Sequence, residues 1–106
     1  MRGSIRFWSL SRATKKVRKI LLLAKSTTIG RASRMNVRLR DPLVSSEHAV
    51  IIRDAAKLSI KDTGSTNGTH VNGRKVEECM IEDGAKIVLG ETEMMLVVPK
   101  NRASRS

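Results

Sequence analysis

Short runs of alternating apolar and polar residues, each ended by a turn sequence, set the tightest limit on how this chain can fold. Apolar and basic residues alternate in Val37-Arg-Leu-Arg40, and the same period of two recurs in Lys57-Leu-Ser-Ile-Lys61. Successive side chains of a strand point to opposite faces, so these runs predict half-buried strands. About ten such segments follow one another closely without a convincing helix, which predicts an all-β sandwich.

The predicted strands lie between recognisable turn sequences. They cover 5–10, 17–23, 27–29, 37–40, 48–53, 57–61, 69–71, a short segment near 75–76, 86–89 and 93–98. We interpret 54–56, Asn72-Gly73, 81–84 and 90–92 as turns. Residues 1–4 are expected to form an N-terminal extension, 5–98 a single domain, and 99–106 a basic disordered tail.

The composition allows one aliphatic core. Apolar residues make up 40 % of the 106 residues, with one Phe, one Trp and no Tyr. No apolar run approaches the roughly 20 residues that a membrane span requires, so no membrane-spanning segment is expected. Because Cys79 is the single cysteine, an internal disulfide is impossible, and a reducing compartment is favoured.

Positive charge is concentrated in the first part of the chain. The formal net charge is +11, and 12 basic residues precede the first acid, Asp41. This asymmetry favours an anionic partner, which could be a phosphopeptide, an acidic protein segment, nucleic acid or a membrane surface. Of these four we do not expect the membrane. The alternative is that solvated Lys and Arg side chains only maintain solubility.

Three segments carry polar residues that strand packing does not require. They are Gly30-Arg31, Ser45-Ser-Glu-His48 and Asp62-Thr-Gly-Ser-Thr-Asn-Gly-Thr-His-Val-Asn-Gly73, and each borders a predicted strand. Arginine offers a planar fork for two phosphate oxygens, while hydroxyl and amide groups can donate further hydrogen bonds. A loop surface with many donors and few carboxylates predicts an anion-binding site.

Catalysis and metal binding find little support in the sequence. Ser45, His48 and Asp62 supply the residue types of a nucleophilic triad, but no strained nucleophile elbow is visible. One Cys and two His are too few for a structural zinc site, and the 62–73 loop lacks the alternating carboxylates of a calcium loop. We therefore expect neither an enzyme nor a cofactor or metal.

Together the three segments resemble the signature of forkhead-associated (FHA) domains. Gly30-Arg31, Ser45-x-x-His48 and Gly64-Ser-Thr-Asn-Gly-Thr-x-Val-Asn-Gly73 follow in that family's order and approximate spacing, and the resemblance extends from about Ile5 to Val98. It implies a twisted sandwich of about eleven short antiparallel or mixed strands with ligand loops at one end. It also implies a phosphothreonine-dependent module that recruits phosphorylated partner proteins in signalling.

The resemblance also assigns roles to individual residues. Arg31 and Ser45 would hold the phosphate, and Ser46 would contact it. Thr66 would line the phosphothreonine pocket, and Asn67 would bind the main chain of the peptide. The remaining matches would be structural: Gly30, His48, Gly68, Asn72 and Gly73.

Three residues depart from the usual FHA pattern. Ser46 is short at a position where other members often carry a longer hydrogen-bond donor. The alternative is therefore a degenerate domain that does not bind phosphate and serves only as a structural interaction unit. Leu43 stands where some members carry a basic residue, so we expect it to favour an apolar side chain of the ligand. His70 replaces a larger apolar residue and is expected to thin the packing beneath the loop.

Nucleic-acid binding through the basic 2–40 region is the main alternative, either instead of peptide binding or as a secondary contact. Scarce aromatic residues and the lack of an RNA-recognition or zinc-finger motif count against it. The family and the basic excess suggest a nuclear location, with the cytoplasm as the alternative.

Overall fold

The computed structural model describes residues 5–22, 24–55 and 57–99, and these form eleven strands. The strands are β1 Arg6–Ser11, β2 Val17–Leu21, β3 Ser26–Gly30, β4 Val37–Arg38, β5 Ala49–Asp54, β6 Lys57–Asp62, β7 Thr69–Val71, β8 Arg74–Val76, β9 Glu78–Ile81, β10 Lys86–Leu89 and β11 Thr92–Val97. The described ranges contain no helix, and thus no helix long and apolar enough to cross a membrane.

Two sheets pack against each other, and in both of them the strand order departs from the order along the chain. One has six strands in the order β2-β1-β11-β10-β7-β8, and the other has five in the order β4-β3-β5-β6-β9. The paired strands are antiparallel except for β3 and β4, which run parallel. The predicted all-β sandwich of about eleven antiparallel and mixed strands is therefore confirmed.

The core between the sheets is aliphatic, as the composition predicts. Val37 and Leu39 are buried while Arg38 and Arg40 are exposed, which confirms the alternation at this edge. Phe7 lies inside, but Trp8 is 43 % exposed on the outer face. The most deeply buried aliphatic side chains come from both sheets: Ile29, Ile60, Ile87, Leu89 and Leu96.

The sequence prediction missed β9 and displaced several strand ends. Ile81, predicted in a turn, is buried at the end of β9, where it pairs with Leu58 of β6. Asp54 and Thr92, also predicted in turns, belong to β5 and β11. His48 precedes β5, and β4 ends at Arg38, so Leu39 and Arg40 lie beyond the strand.

Some predictions fall on residues that the structure does not describe. They are the extension over 1–4, the second strand's last residue 23, the turn residue 56 and the tail from 100 onward.

The strand registers place the polar loops at one end of the sandwich. Ile29 pairs with Ala49, and Ala49 pairs with Asp62, so β3 and β6 end where β5 begins. Leu89 pairs with Thr69, which brings the end of β10 to the start of β7. Consequently the loops β3–β4, β4–β5, β6–β7 and β10–β11 share one end.

Candidate functional site

Backbone hydrogen bonds join the first two polar segments. The Arg31 N–H donates to the Ser45 carbonyl at 2.9 Å, and the Ala32 N–H donates to the Ser46 carbonyl at 3.1 Å. A Cβ atom on Gly30 would lie 2.2 Å from the Ser46 carbonyl oxygen. Glycine is therefore required at position 30 by the close approach of the β4–β5 loop.

Arg31 is exposed, yet its side chain is anchored. Its Nε–H donates to the Val44 carbonyl at 2.9 Å, while its own carbonyl accepts from Nε of Arg38 at 3.1 Å. Within the described chain, its terminal amines make no hydrogen bond. The anchored guanidinium thus presents its outer N–H groups to solvent, in a geometry suited to two oxygens of one anion.

Ser45 connects the second polar segment to the third. Its N–H donates to Nδ1 of His48 at 3.1 Å, and its Oγ accepts from the Thr66 N–H at 2.9 Å. The backbone N–H of Ser45 is therefore used within the protein. The hydroxyl proton remains available, and the neighbouring Ser46 is exposed, with no hydrogen bond of its N–H or hydroxyl in the described chain.

His48 lies beneath these loops with no exposed surface. Since Nδ1 accepts from Ser45, the ring is the neutral tautomer that carries its proton on Nε2, and Nε2 donates to the Gly68 carbonyl at 2.9 Å. Both nitrogens of one buried ring are thus used to hold the β4–β5 loop against the β6–β7 loop.

Thr66 and Asn67 lie exposed on the β6–β7 loop. The Asn67 side-chain amide donates to the Leu43 carbonyl at 2.8 Å, which leaves its oxygen and its second N–H for another partner. The Thr66 hydroxyl makes no hydrogen bond to the described residues. Asn67 therefore supports the loop and still exposes polar atoms.

The sequence prediction missed Asp62 as the organiser of this loop. Its carboxylate accepts from the N–H of Gly64 at 2.7 Å and of Ser65 at 2.8 Å, and from the hydroxyls of Ser65 and Thr69. Burial raises the pKa of Asp62, but the hydrogen bonds from Ser65, Thr69 and Gly64 outweigh it and lower the pKa to about 2. The Asp-x-Gly pattern of an Asx turn was the available signal.

Asp41 is a second organiser that sequence reasoning missed. It is 6 % exposed, and its Oδ1 accepts from the Leu43 N–H at 2.9 Å. Its Oδ2 accepts from the Glu91 N–H at 2.6 Å and from the Thr92 hydroxyl at 2.9 Å. This carboxylate ties the β10–β11 turn to the loop that carries Leu43 and Ser45.

The second Asn-Gly pair forms the two-residue turn between β7 and β8. Asn72 and Gly73 have φ of 52° and 87°, as a type I′ turn requires, and Asn72 Oδ1 accepts from the Lys86 N–H at 2.9 Å. His70 is half-buried between the buried Thr69 and Val71. It therefore faces away from the core, and the expected thinning of the packing beneath the loop is wrong.

The exposed site is electropositive. Arg31 is exposed beside Arg34, whose guanidinium forms an ion pair with Glu47 across the two loops. That pair neutralises the Glu47 carboxylate, and the carboxylates of Asp41 and Asp62 accept hydrogen bonds from protein N–H and hydroxyl groups. The surface thus offers hydrogen-bond donors to an anion.

The possible triad residues do not form a catalytic relay. The His48 ring receives the backbone N–H of Ser45 instead of its hydroxyl proton, and its other nitrogen is bonded to Gly68. Asp62 contacts hydroxyl and N–H groups of its own loop. The hydroxyl of Ser45 therefore has no general base among these residues.

A family model described as the FHA domain matches residues 27–90, a range that includes all three polar segments. FHA domain-containing protein FhaA from Mycobacterium tuberculosis is 39 % identical over 71 residues, which are 67 % of this chain and 14 % of FhaA. Glycogen accumulation regulator GarA from Mycolicibacterium smegmatis is 29 % identical over 89 residues, which are 83 % of this chain and 56 % of GarA. The chain thus spans less than two thirds of either relative.

Solved structures share the fold over nearly the whole chain. One comes from a structural and functional analysis of phosphothreonine-dependent FHA domain interactions. It superposes with a TM-score of 0.80 and 31 % identity, and the match covers 93 % of this chain and all of that one.

Proposed function

Because this chain belongs to the FHA domain family, we propose that it is a non-catalytic module that binds phosphothreonine-containing segments of partner proteins. The observation that carries this proposal is the joint presentation of the Arg31 fork and the Ser45 hydroxyl at one rigid loop end. The solved FHA domain described above, with its phosphothreonine-dependent interactions, supports the same conclusion. The proposed binding unit spans residues 5–98.

The phosphate would bind between the β3–β4 and β4–β5 loops. The terminal amines of Arg31 would take two phosphate oxygens, and the hydroxyl of Ser45 would donate to a third. Ser46 would add its free N–H and its short hydroxyl. Since Val44 and Thr66 hold Arg31 and Ser45 in place, little side-chain entropy is lost when the phosphate binds.

The peptide backbone would bind along the β6–β7 loop. Asn67 keeps an amide oxygen and one N–H after bonding to Leu43, so it can accept from and donate to an extended main chain. Thr66 lies beside it and would contact the phosphothreonine side chain. We expect selection of phosphothreonine over phosphoserine to depend on contacts with the additional methyl group.

Leu43 is the proposed determinant of sequence preference. It is 46 % exposed, and its carbonyl is bonded to Asn67, so its side chain lies next to the proposed peptide path. An exposed leucine there would favour an apolar residue near the phosphothreonine. Leu43→Lys should shift the preference towards an acidic residue at that ligand position.

Nucleic-acid binding is the rival function, and the excess of positive charge is the observation that favours it. It predicts binding that ignores the phosphorylated residue and weakens steeply as salt rises. The comparisons give it no support. They give none to the nuclear location either, since the relatives named above are bacterial.

An oriented peptide library tests the proposed function. Pools with fixed phosphothreonine, fixed phosphoserine or fixed unphosphorylated threonine would be titrated at low and moderate salt. We expect retention of the phosphothreonine pool at both salt concentrations. Equal retention of all pools, lost at moderate salt, would contradict the proposal and favour the cationic surface as the interface. Binding of no pool would favour a purely structural domain.

A further inference from the structure

A cavity lies at the same end of the sandwich, outside the proposed peptide site. Its volume is about 250 Å³, and it opens between β1 and β2 with their turn, the start of the β4–β5 loop and the start of β11. Its wall consists of Ser9, Ser11, Thr14, Lys16, Arg18, Leu39, Arg40, Asp41 and Thr92. Cationic and hydroxyl groups dominate the polar part of this wall.

The cavity's three cations have no acidic partner among the described residues. The ion pairs of the described chain join Arg12 and Lys86 to Glu93, and Arg34 to Glu47. None of them involves Lys16, Arg18 or Arg40. Three like charges on one cavity raise the local positive potential, and a bound anion would relieve their repulsion.

Two hydroxyl groups of the wall accept hydrogen bonds from backbone N–H groups and keep their own protons free. Ser11 Oγ accepts from the Thr14 N–H at 3.3 Å, and Thr14 Oγ1 accepts from the Lys16 N–H at 3.4 Å. In the described chain neither hydroxyl donates to a protein oxygen. Each therefore keeps a proton for an anion, while Ser9, a buried residue that lines the cavity, adds a third hydroxyl.

The acid in the wall does not act as a counter-ion for these cations. Both carboxylate oxygens of Asp41 accept hydrogen bonds, from Leu43 on one side and from Glu91 and Thr92 on the other. It is 6 % exposed and fixes the loop geometry. Its oxygens are thus committed to the protein, and none of the three cations has a carboxylate partner among the described residues.

From this juxtaposition we propose that the cavity is a second anion site, which binds a phosphate monoester on a short stem. Its volume is below the roughly 300–1,000 Å³ typical of small-molecule pockets, so it suits one phosphate with a few attached carbons. The apolar surface of Leu39 would contact that stem. The two possible sources are a second phosphorylated side chain of the same partner and a small phosphorylated compound.

Two hydrogen bonds connect this cavity to the proposed peptide site. Arg18 Nη1 donates to the Arg38 carbonyl at 3.2 Å, and Arg38 Nε donates to the Arg31 carbonyl at 3.1 Å. The wall of the cavity is therefore linked through Arg38 to the loop that carries Arg31, and we infer that one extended ligand can reach both sites. The cavity's own chemistry does not depend on the proposed function, because it shares no side chain with the Arg31 site.

Phenyl phosphate is a suitable probe for the cavity. It would be titrated into ¹⁵N-labelled protein at constant ionic strength, with backbone and arginine side-chain signals recorded by NMR. We expect saturable shifts of Ser11, Thr14 and Arg18 that persist in Arg31→Ala. The double variant Lys16→Gln/Arg40→Gln, which removes two charges without breaking a described hydrogen bond, should weaken these shifts by about tenfold or more in Kd.

The control double variant Lys57→Gln/Lys61→Gln removes the same charge from exposed positions on β6. It should leave binding at the cavity unchanged. Equal loss in both double variants, or no saturable shift at the cavity in the wild type, would overturn the proposal. If phosphothreonine peptides fail to bind while the cavity still takes phenyl phosphate, the proposed function fails and this inference stands.

Peptides distinguish the two sources. A doubly phosphorylated peptide that binds about tenfold more tightly than its singly phosphorylated form, with the gain lost in Lys16→Gln/Arg40→Gln, would assign the cavity to the partner's second phosphate. The absence of any gain, together with phenyl phosphate binding, would assign it to a small phosphorylated compound.

Discussion

The Oγ of Ser45 accepts a hydrogen bond from the backbone N–H of Thr66 at 2.9 Å, and this bond links two loops that lie 21 residues apart in sequence. The same serine donates its N–H to buried His48, so the residue proposed to bind phosphate is held from two directions. The site is therefore rigid before any ligand arrives, which lowers the entropic cost of binding.

Ser45→Ala should weaken both the fold and phosphopeptide binding. Loss of the acceptor for the Thr66 N–H should lower the free energy of unfolding by about 1 kcal/mol, because water can partly replace it at this exposed position. Loss of the phosphate contact should raise Kd by about tenfold. Urea denaturation and calorimetric titration measure the two effects.

Ser46→Ala is the matched control, since its side chain makes no hydrogen bond in the described chain. Its unfolding free energy should stay within about 0.5 kcal/mol of the wild type. Equal destabilisation by both serine variants would contradict the role given to the Ser45–Thr66 bond.

His48→Ala should be among the most damaging single changes. It leaves the Ser45 N–H and the Gly68 carbonyl without partners and opens a cavity at a fully buried position. We expect a loss of about 3 kcal/mol in the free energy of unfolding by urea denaturation.

The second histidine provides the comparison. His70→Ala removes a half-buried side chain on the outer face and should cost no more than about 1 kcal/mol. If both alanine variants unfold at the same urea concentration, this result would contradict the conclusion that the His48 ring stabilises the two loops.

Because the pKa of Asp62 is lowered in the folded chain, we expect the free energy of unfolding to fall at low pH. Its pKa falls from the ordinary 3.8 to about 2 in the folded chain. A depressed folded pKa means that the stabilisation is fully present above pH 3.8 and is lost as the pH falls towards 2. With allowance for solvent at this half-exposed group, the stabilisation amounts to about 1–2 kcal/mol.

Asp62→Asn isolates this contribution. Urea denaturation of both proteins should show a constant gap in unfolding free energy near neutral pH and a smaller gap as the pH falls from about 4 to about 2. If the difference in unfolding free energy between the two proteins stays constant over that range, the ionised carboxylate of Asp62 does not stabilise the fold.

Gly30→Ala should disturb the site through sterics. Its Cβ would meet the Ser46 carbonyl at 2.2 Å, so the β4–β5 loop must move. We expect a destabilisation of about 1–3 kcal/mol, together with weaker phosphopeptide binding, measured by urea denaturation and calorimetric titration.

Gly84→Ala separates these two effects. Gly84 has a φ of 86° with open space around it, and it lies at the opposite end of the sandwich. Backbone strain should cost about 1 kcal/mol without changing peptide affinity. An unchanged affinity in Gly30→Ala would contradict the steric argument.

The period-two pattern predicted most of the fold, since inward and outward residues alternate in strands such as Lys57–Asp62. The pattern did not predict β9, whose sequence is Glu-Cys-Met-Ile. Only the last of these four residues is buried, and β9 is an edge strand of its sheet. Edge strands bury little, so their sequences carry a weak signal.

The site was predictable as a set of residues but not as a hydrogen-bond network. The motif spacing indicated that Arg31, Ser45 and Thr66 belong together, and the structure places their loops in contact. Which donors remain free depends on three-dimensional partners. The use of the Ser45 N–H by His48 and the role of Asp41 therefore emerge only from the folded chain.

The central claim is tested most directly by calorimetric titration of one phosphothreonine peptide, chosen from the library, into the wild type and Arg31→Ala at the same moderate salt concentration. Loss of the anchored fork should cost at least about 2 kcal/mol of binding free energy, or roughly thirtyfold in Kd, while loss of the bond to the Val44 carbonyl should lower the free energy of unfolding by only about 1 kcal/mol. The phosphoserine form should bind more weakly to the wild type. Equal affinity of Arg31→Ala and the wild type would contradict phosphate recognition at this site.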